Sequence, residues 1–133
     1  MCLGGRKLYA LNGGHVLVTA EHPFMTLGGW KSVELENGFK LDHAGDTGVF
    51  ADMAFIGGFY KPDLALLPIG GHFTMDPAHA AYAVRELLQS PTVVPIHYGT
   101  FPPLKGTPEQ FIEALGDAPA KVLVMQPGEA RKF

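Results

Sequence analysis

The sequence predicts a layered α/β domain, and three observations predict it. Short β-branched or apolar runs recur along the chain, each closed by glycine, proline or a polar residue. One of them, Asp63-Leu64-Ala65-Leu66-Leu67-Pro68-Ile69, is almost wholly apolar, as in a strand buried on both faces in the middle of a layered sheet. Between the runs stand two helix starts, Asp76-Pro77 and Thr107-Pro108-Glu109-Gln110, each ahead of an apolar stripe. The 133 residues suffice for a single domain, residues 1–133, with one core.

Taken in order, residues 7–11 form a strand candidate that Asn12-Gly13-Gly14 turns into a second, residues 15–20. Glu21-His22-Pro23 ends it, because Pro23 cannot donate to a ladder. Residues 24–29 read as a loop. Residues 30–35 alternate as a strand, Asn37-Gly38 signals a hairpin, and Phe39-Lys40-Leu41 returns into Asp42-His43-Ala44-Gly45-Asp46-Thr47-Gly48. Phe50, Met53, Ala54 and Phe55 suggest a short amphipathic helix stopped by Gly57-Gly58. After the apolar strand and its Gly70-Gly71-His72 loop, Asp76 caps a helix with Ala80, Ala81, Val84, Leu87 and Leu88 inward. His79 falls beside that stripe. Residues 91–97 form a strand in which Pro95 argues against a fully paired central position. Phe111, Ile112 and Leu115 give the helix from Thr107 its apolar side, and it ends at Gly116. Residues 121–125 are the last strand, and residues 126–129 turn the chain out.

Composition narrows the function. Net charge is −3, from 10 basic and 13 acidic residues, without a basic run or face, so no nucleic-acid partner is expected. Charged residues are 17%, against about a quarter in an ordinary domain, and hydrophobic residues 47%. That balance points to surface covered by another layer or chain. Cys2 is the only cysteine, which excludes a disulfide framework and a cysteine zinc site. No apolar stretch is long enough for a membrane span, and none follows the N-terminus as a secretory leader would, so a cytoplasmic location is expected.

The chemistry-bearing residues sit where strands end: His22, Asp46 and His97 after three of them, His72 after a fourth. Sheet edges gather side chains from separate strands in this way. Imidazoles and a carboxylate suit zinc, manganese or iron, and one aspartate can touch two metals. The competing reading is a set of polar strand ends, with aspartates that only cap turn amides.

The stretches Asp42 to Gly48, Phe50-Ala51-Asp52-Met53, Pro62 to Met75 and Pro95-Ile96-His97-Tyr98-Gly99-Thr100-Phe101-Pro102 together resemble the metallo-β-lactamase superfamily. Within it they look like the uncharacterised metal-dependent hydrolases related to lactonases and phospholipases of the D type. The resemblance implies half of an αββα sandwich: a mixed sheet with helices on one face. It implies His22, Asp46 and His97 as metal ligands, Asp46 bridging, and His72 lining the pocket as a catalytic group beside Asp46. His43 would orient the turn. The implied cofactor is a divalent metal, zinc ahead of manganese or iron. The implied reaction is hydrolysis of a small-molecule ester, phosphodiester or lactone by a metal-bound hydroxide.

Two departures stand out. Pro23 follows His22 where relatives carry small hydroxyl residues. The family's His-x-His-x-Asp-His cluster has no counterpart anywhere in the chain. The sequence therefore reads as the C-terminal part of the fold, weakly active or inactive alone, with one apolar sheet face bare. The alternative is a non-enzymatic truncated or degenerate domain that folds as a homodimer or on a partner, such as the missing N-terminal half. Phe24, Met25, Phe73, Tyr98 and Phe101 are candidates for an apolar pocket mouth or for packing.

Overall fold

The computed structural model describes residues 7–10, 16–18, 24–27 and 30–133, the first three segments as strand backbone. The strands are β1 (Lys7–Ala10), β2 (Val16–Val18), β3 (Phe24–Leu27), β4 (Trp30–Glu34), β5 (Lys40–His43), β6 (Leu64–Pro68), β7 (Thr92–Ile96), β8 (Lys121–Val122) and β9 (Ala130–Lys132). The helices are α1 (Met53–Phe55), α2 (Pro77–Tyr82) and α3 (Pro108–Leu115). A six-stranded mixed sheet runs β3-β4-β5-β6-β7-β8, antiparallel up to β5 and parallel from β5 to β8. A three-stranded antiparallel sheet runs β2-β1-β9.

The β4–β5 hairpin is the expected one. Glu34 pairs with Lys40, Gly38 takes a φ of 80°, and Asn37 Oδ1 accepts from the Phe39 amide. Only a residue free of a Cβ holds that φ cheaply. Both expected helix starts form. Asp76 accepts from the His79 amide at 2.8 Å, and Thr107 with Gln110 closes a reciprocal capping box. His79 is exposed and pairs with Asp76 at 3.2 Å.

The sheet divides the core by alternation, since successive side chains on a strand face opposite ways. Ala65, Leu67 and Val93 join Met53, Ile56, Ala80, Val84, Phe111 and Leu115 on the helix side. Leu64, Leu66, Val94, Ile96 and Leu41 form the cluster on the other side, with Met125. Each such leucine or isoleucine contributes about 1.5–3 kcal/mol by leaving water. The second face is not bare: Leu64 and Leu66 are fully buried, and Phe133, just past β9, stacks on Phe39 at 5.5 Å.

Three local expectations are corrected, and the fourth, that Pro95 is not fully paired, holds within an internal strand. Residues 24–27 are a strand, paired with β4. Gly57-Gly58 does not stop the first helix, which widens into a turn over Ile56–Tyr60 and ends at Lys61 with φ 51°. Gly57 serves close approach instead: a Cβ there would lie 2.4 Å from the Leu87 carbonyl oxygen. Pro95 lies in an internal strand, opposite Leu67 of β6. Its missing N–H points toward β8, whose pairing stops at Val93 opposite Val122, so no ladder bond is lost. The last strand of the large sheet is two residues long, and the chain returns after residues 126–129 as β9. Ala-Arg-Lys carries no apolar alternation, so its pairing with β1 was invisible in the sequence.

Candidate metal centre

Parallel strands β5, β6 and β7 bring their C-terminal ends to one sheet edge, and each continues into a loop with a candidate residue. Asp46 follows β5, His72 follows β6 and His97 follows β7. Backbone bonds tie these loops together. Ala44 N donates to Leu66 O at 3.0 Å, Met75 N to Thr47 O at 2.9 Å, and Ile69 N to Ile96 O at 3.0 Å. A Cβ on Gly70 would stand 2.1 Å from the His97 carbonyl oxygen, so only glycine lets the β6 loop pass there.

His97 Nδ1 lies 3.0 Å from Asp46 Oδ1. The histidine side chain is 18% exposed and the aspartate 79%, which leaves the carboxylate open to solvent or to a ligand. His72 and His97 both hold left-handed backbone, with φ of 62° and 54°. A non-glycine residue pays of order 1–3 kcal/mol for such a conformation, and such strain concentrates at functional sites.

His43 supports the turn. Its Nδ1 accepts from the Gly45 amide at 3.0 Å, which fixes the loop at the residue before Asp46. Burial lowers its pKa below the ordinary imidazole range, and the charges of His97 and Lys31 act in the same direction. Its backbone bond and Asp46 oppose them. His43 therefore stays neutral at pH 7 and keeps Nδ1 as an acceptor.

Of the residues expected at the site, Asp46 and His97 meet. His22 lies outside the described residues. His72 is exposed at the same edge and packs edge-on against Phe73 at 4.2 Å, with Phe101 stacked beyond at 6.3 Å. Tyr98 lies partly buried nearby; burial, then the Glu109 charge, raises its hydroxyl pKa. Among the described residues no group of three or more His, Cys, Asp or Glu side chains could hold a metal. Asp42, which the sequence places in the same stretch as Asp46, faces away: it pairs with Ser32 and Ala65 on the helix side. Strand alternation was the signal that could have separated it from the site.

Parallel strands with helices on one face, and a carboxylate–imidazole pair at their shared edge, define a layered α/β domain that gathers polar residues at one sheet edge. The chain belongs to the β-lactamase superfamily, whose domain model matches residues 10–97. Its relatives there are the UPF0173 metal-dependent hydrolases. The Polaromonas sp. member is 58% identical over 101 residues, covering 76% of this chain and 37% of its own. The Korarchaeum cryptofilum member is 48% identical over 127 residues, covering 93% and 57%. Igni18, a metallo hydrolase from Ignicoccus hospitalis, superposes with a TM-score of 0.68 at 38% identity, over 86% of this chain and 59% of its own. The chain thus spans about a third to somewhat over half of the relatives it matches. No helix among the described residues is long and apolar enough to cross a membrane.

Proposed function

We propose that this chain is the C-terminal part of a metal-dependent hydrolase and supplies Asp46 and His97, with His22, to its metal centre. The observation that carries the reading is the 3.0 Å approach of Asp46 to His97 between two strand ends. The donor types fit a borderline divalent ion, zinc ahead of manganese or iron. A metal held there supplies Lewis acidity and an acidified water. The chain's own residues do the positioning. His43 fixes the Asp46 turn, and Gly70 admits the His97 backbone. His72, beside Phe73, stands where a substrate group would approach. The substrate is a small-molecule ester, phosphodiester or lactone, handled in the cytoplasm.

Two described ligands do not complete a centre, so the chain alone has weak or no activity on this reading. The test is turnover of bis(p-nitrophenyl) phosphate and a simple lactone by the zinc- or manganese-loaded chain. Turnover should appear or rise when a relative's His-x-His-x-Asp-His segment is added in trans or fused, and should vanish in Asp46→Ala. Robust turnover by the chain alone would overturn the incompleteness, and no metal uptake under any condition would overturn the centre.

A further inference from the structure

The body of β5 holds a carboxylate for which the metal centre has no use. Asp42 is 1% exposed, between Ser32 of β4 and Ala65 of β6, where the apolar part of the face (Ala65, Leu67, Val93) meets its polar part (Ser32, Glu34, Lys40). Its Oδ2 and the Trp30 Nε1 on the same face are both enclosed without a well-formed hydrogen bond. The Ser32 hydroxyl and the Trp30 indole still lie near enough to favour the charged carboxylate. Burial outweighs them and raises its pKa. A buried carboxylate whose donors reach it imperfectly is costly, so a sheet interior carries one only at a loss.

In front of Asp42 opens a cavity of about 280 Å³, lined also by Ser32, Glu34, Lys40, Phe59 and Tyr60. The two aromatic residues come from the wide turn that extends α1. Their rings stand edge to face at 5.1 Å and 83°, and together they form the aromatic wall of the cavity. Lys40 follows the same strand face two residues away and forms no ion pair with Asp42, although its backbone amide donates to Asp63 Oδ2 at 2.8 Å. The cavity therefore combines a desolvated acceptor, an aromatic wall and an opening, the elements that recognise an organic cation.

We propose that this cavity binds a small organic ammonium ion, with its N–H directed to the Asp42 carboxylate and its hydrocarbon part against Phe59 and Tyr60. The site is separate from the metal centre, because Asp42 and His43 are consecutive on one strand and face opposite sides. A neutral guest of the same shape lacks the charge that Asp42 attracts. Two carboxylates, Asp42 and Glu34, against the one ammonium of Lys40 make the lining favour a cation over an anion. The volume suits a one-ring amine.

The test is titration of the full 133-residue chain with benzylamine, followed by amide and aromatic NMR shifts. Saturable binding is expected, with the shifts centred on Ser32, Asp42 and Phe59. Benzyl alcohol and benzoate, matched in shape, should bind at least about tenfold more weakly, the scale of a lost charge-assisted bond. Asp42→Asn should weaken benzylamine to the same degree, Phe59→Ala severalfold, and Asp46→Ala not at all. Absence of saturable binding, equal binding of benzyl alcohol, or unchanged binding in Asp42→Asn would overturn the proposal. Should Asp42→Asn fail to fold, the exposed Phe59→Ala variant and the alcohol comparison decide alone.

Discussion

Two aspartates four positions apart have opposite surroundings. Asp46 sits past the end of β5 in a turn with Gly45 at φ 65°, open to solvent and 3.0 Å from His97. Asp42 lies within β5, enclosed beneath the helices, with one oxygen lacking a well-formed hydrogen bond. The strand body is built by burial, and whatever sits there affects folding. The strand end is built by backbone geometry, and whatever sits there is available for chemistry. Residue type alone therefore does not identify a site in this fold. Position along a strand and the face it presents decide whether a carboxylate is a ligand, a liability or a recognition group.

The largest expected effect comes from attacking the body. Leu66→Ala removes a fully buried side chain from the cluster opposite the helices. It should cost about 2–5 kcal/mol by urea denaturation. A cost below that range would mean that this sheet face is looser than the burial indicates.

Gly70→Ala attacks the junction of body and edge. Its Cβ would collide with the His97 carbonyl, so either stability falls by about 1–3 kcal/mol or the β7 loop moves. In both cases zinc uptake should drop, read by a competing chelator dye. Unchanged stability and uptake together would show that the loops are not coupled through this glycine.

The pH dependence separates the two faces of β5. Asp42 has a pKa raised from 3.8, first by burial. Its contribution to stability is full below 3.8 and is lost as pH rises through the folded value. His43 has a pKa lowered from 6.5, again first by burial. Its contribution is present above 6.5 and is lost as pH falls through the folded value. Asp42→Asn should therefore flatten the loss on the rising side, and His43→Phe the loss on the falling side. Urea midpoints measured from pH 4 to pH 8 check both.

The smallest effect on stability belongs to Asp46. Its contact with His97 is largely exposed on the carboxylate side, so Asp46→Ala should cost less than about 1 kcal/mol. Metal uptake should fall at least about tenfold in the same variant, the scale of one lost charged ligand. A large loss of stability with unchanged uptake would reverse the roles assigned to edge and body.

Much of this was legible in the sequence. The apolar run over residues 63–69, the Asn37-Gly38 turn and the two capped helices depend on local patterning, and each stands where it was expected. The positions of Asp46 and His97 at strand ends were legible for the same reason, since glycines and prolines mark where strands stop. What only the tertiary structure decided were relations between distant segments. Strand β9 exists because β1 is beside it, not because Ala-Arg-Lys prefers to be extended. Gly57 is a contact with the backbone of Leu87 rather than a helix stop. Pro95 is tolerated in an internal strand because its neighbour β8 has already ended. Asp42 is enclosed because Ser32 and Ala65 flank it within the sheet, and the turn carrying Phe59 and Tyr60 walls the cavity in front of it. Local pattern determines whether a segment turns, coils or extends, because those choices depend on dihedral preferences and near neighbours. Burial and close approach are set by residues far apart in the chain, and only the folded arrangement specifies them.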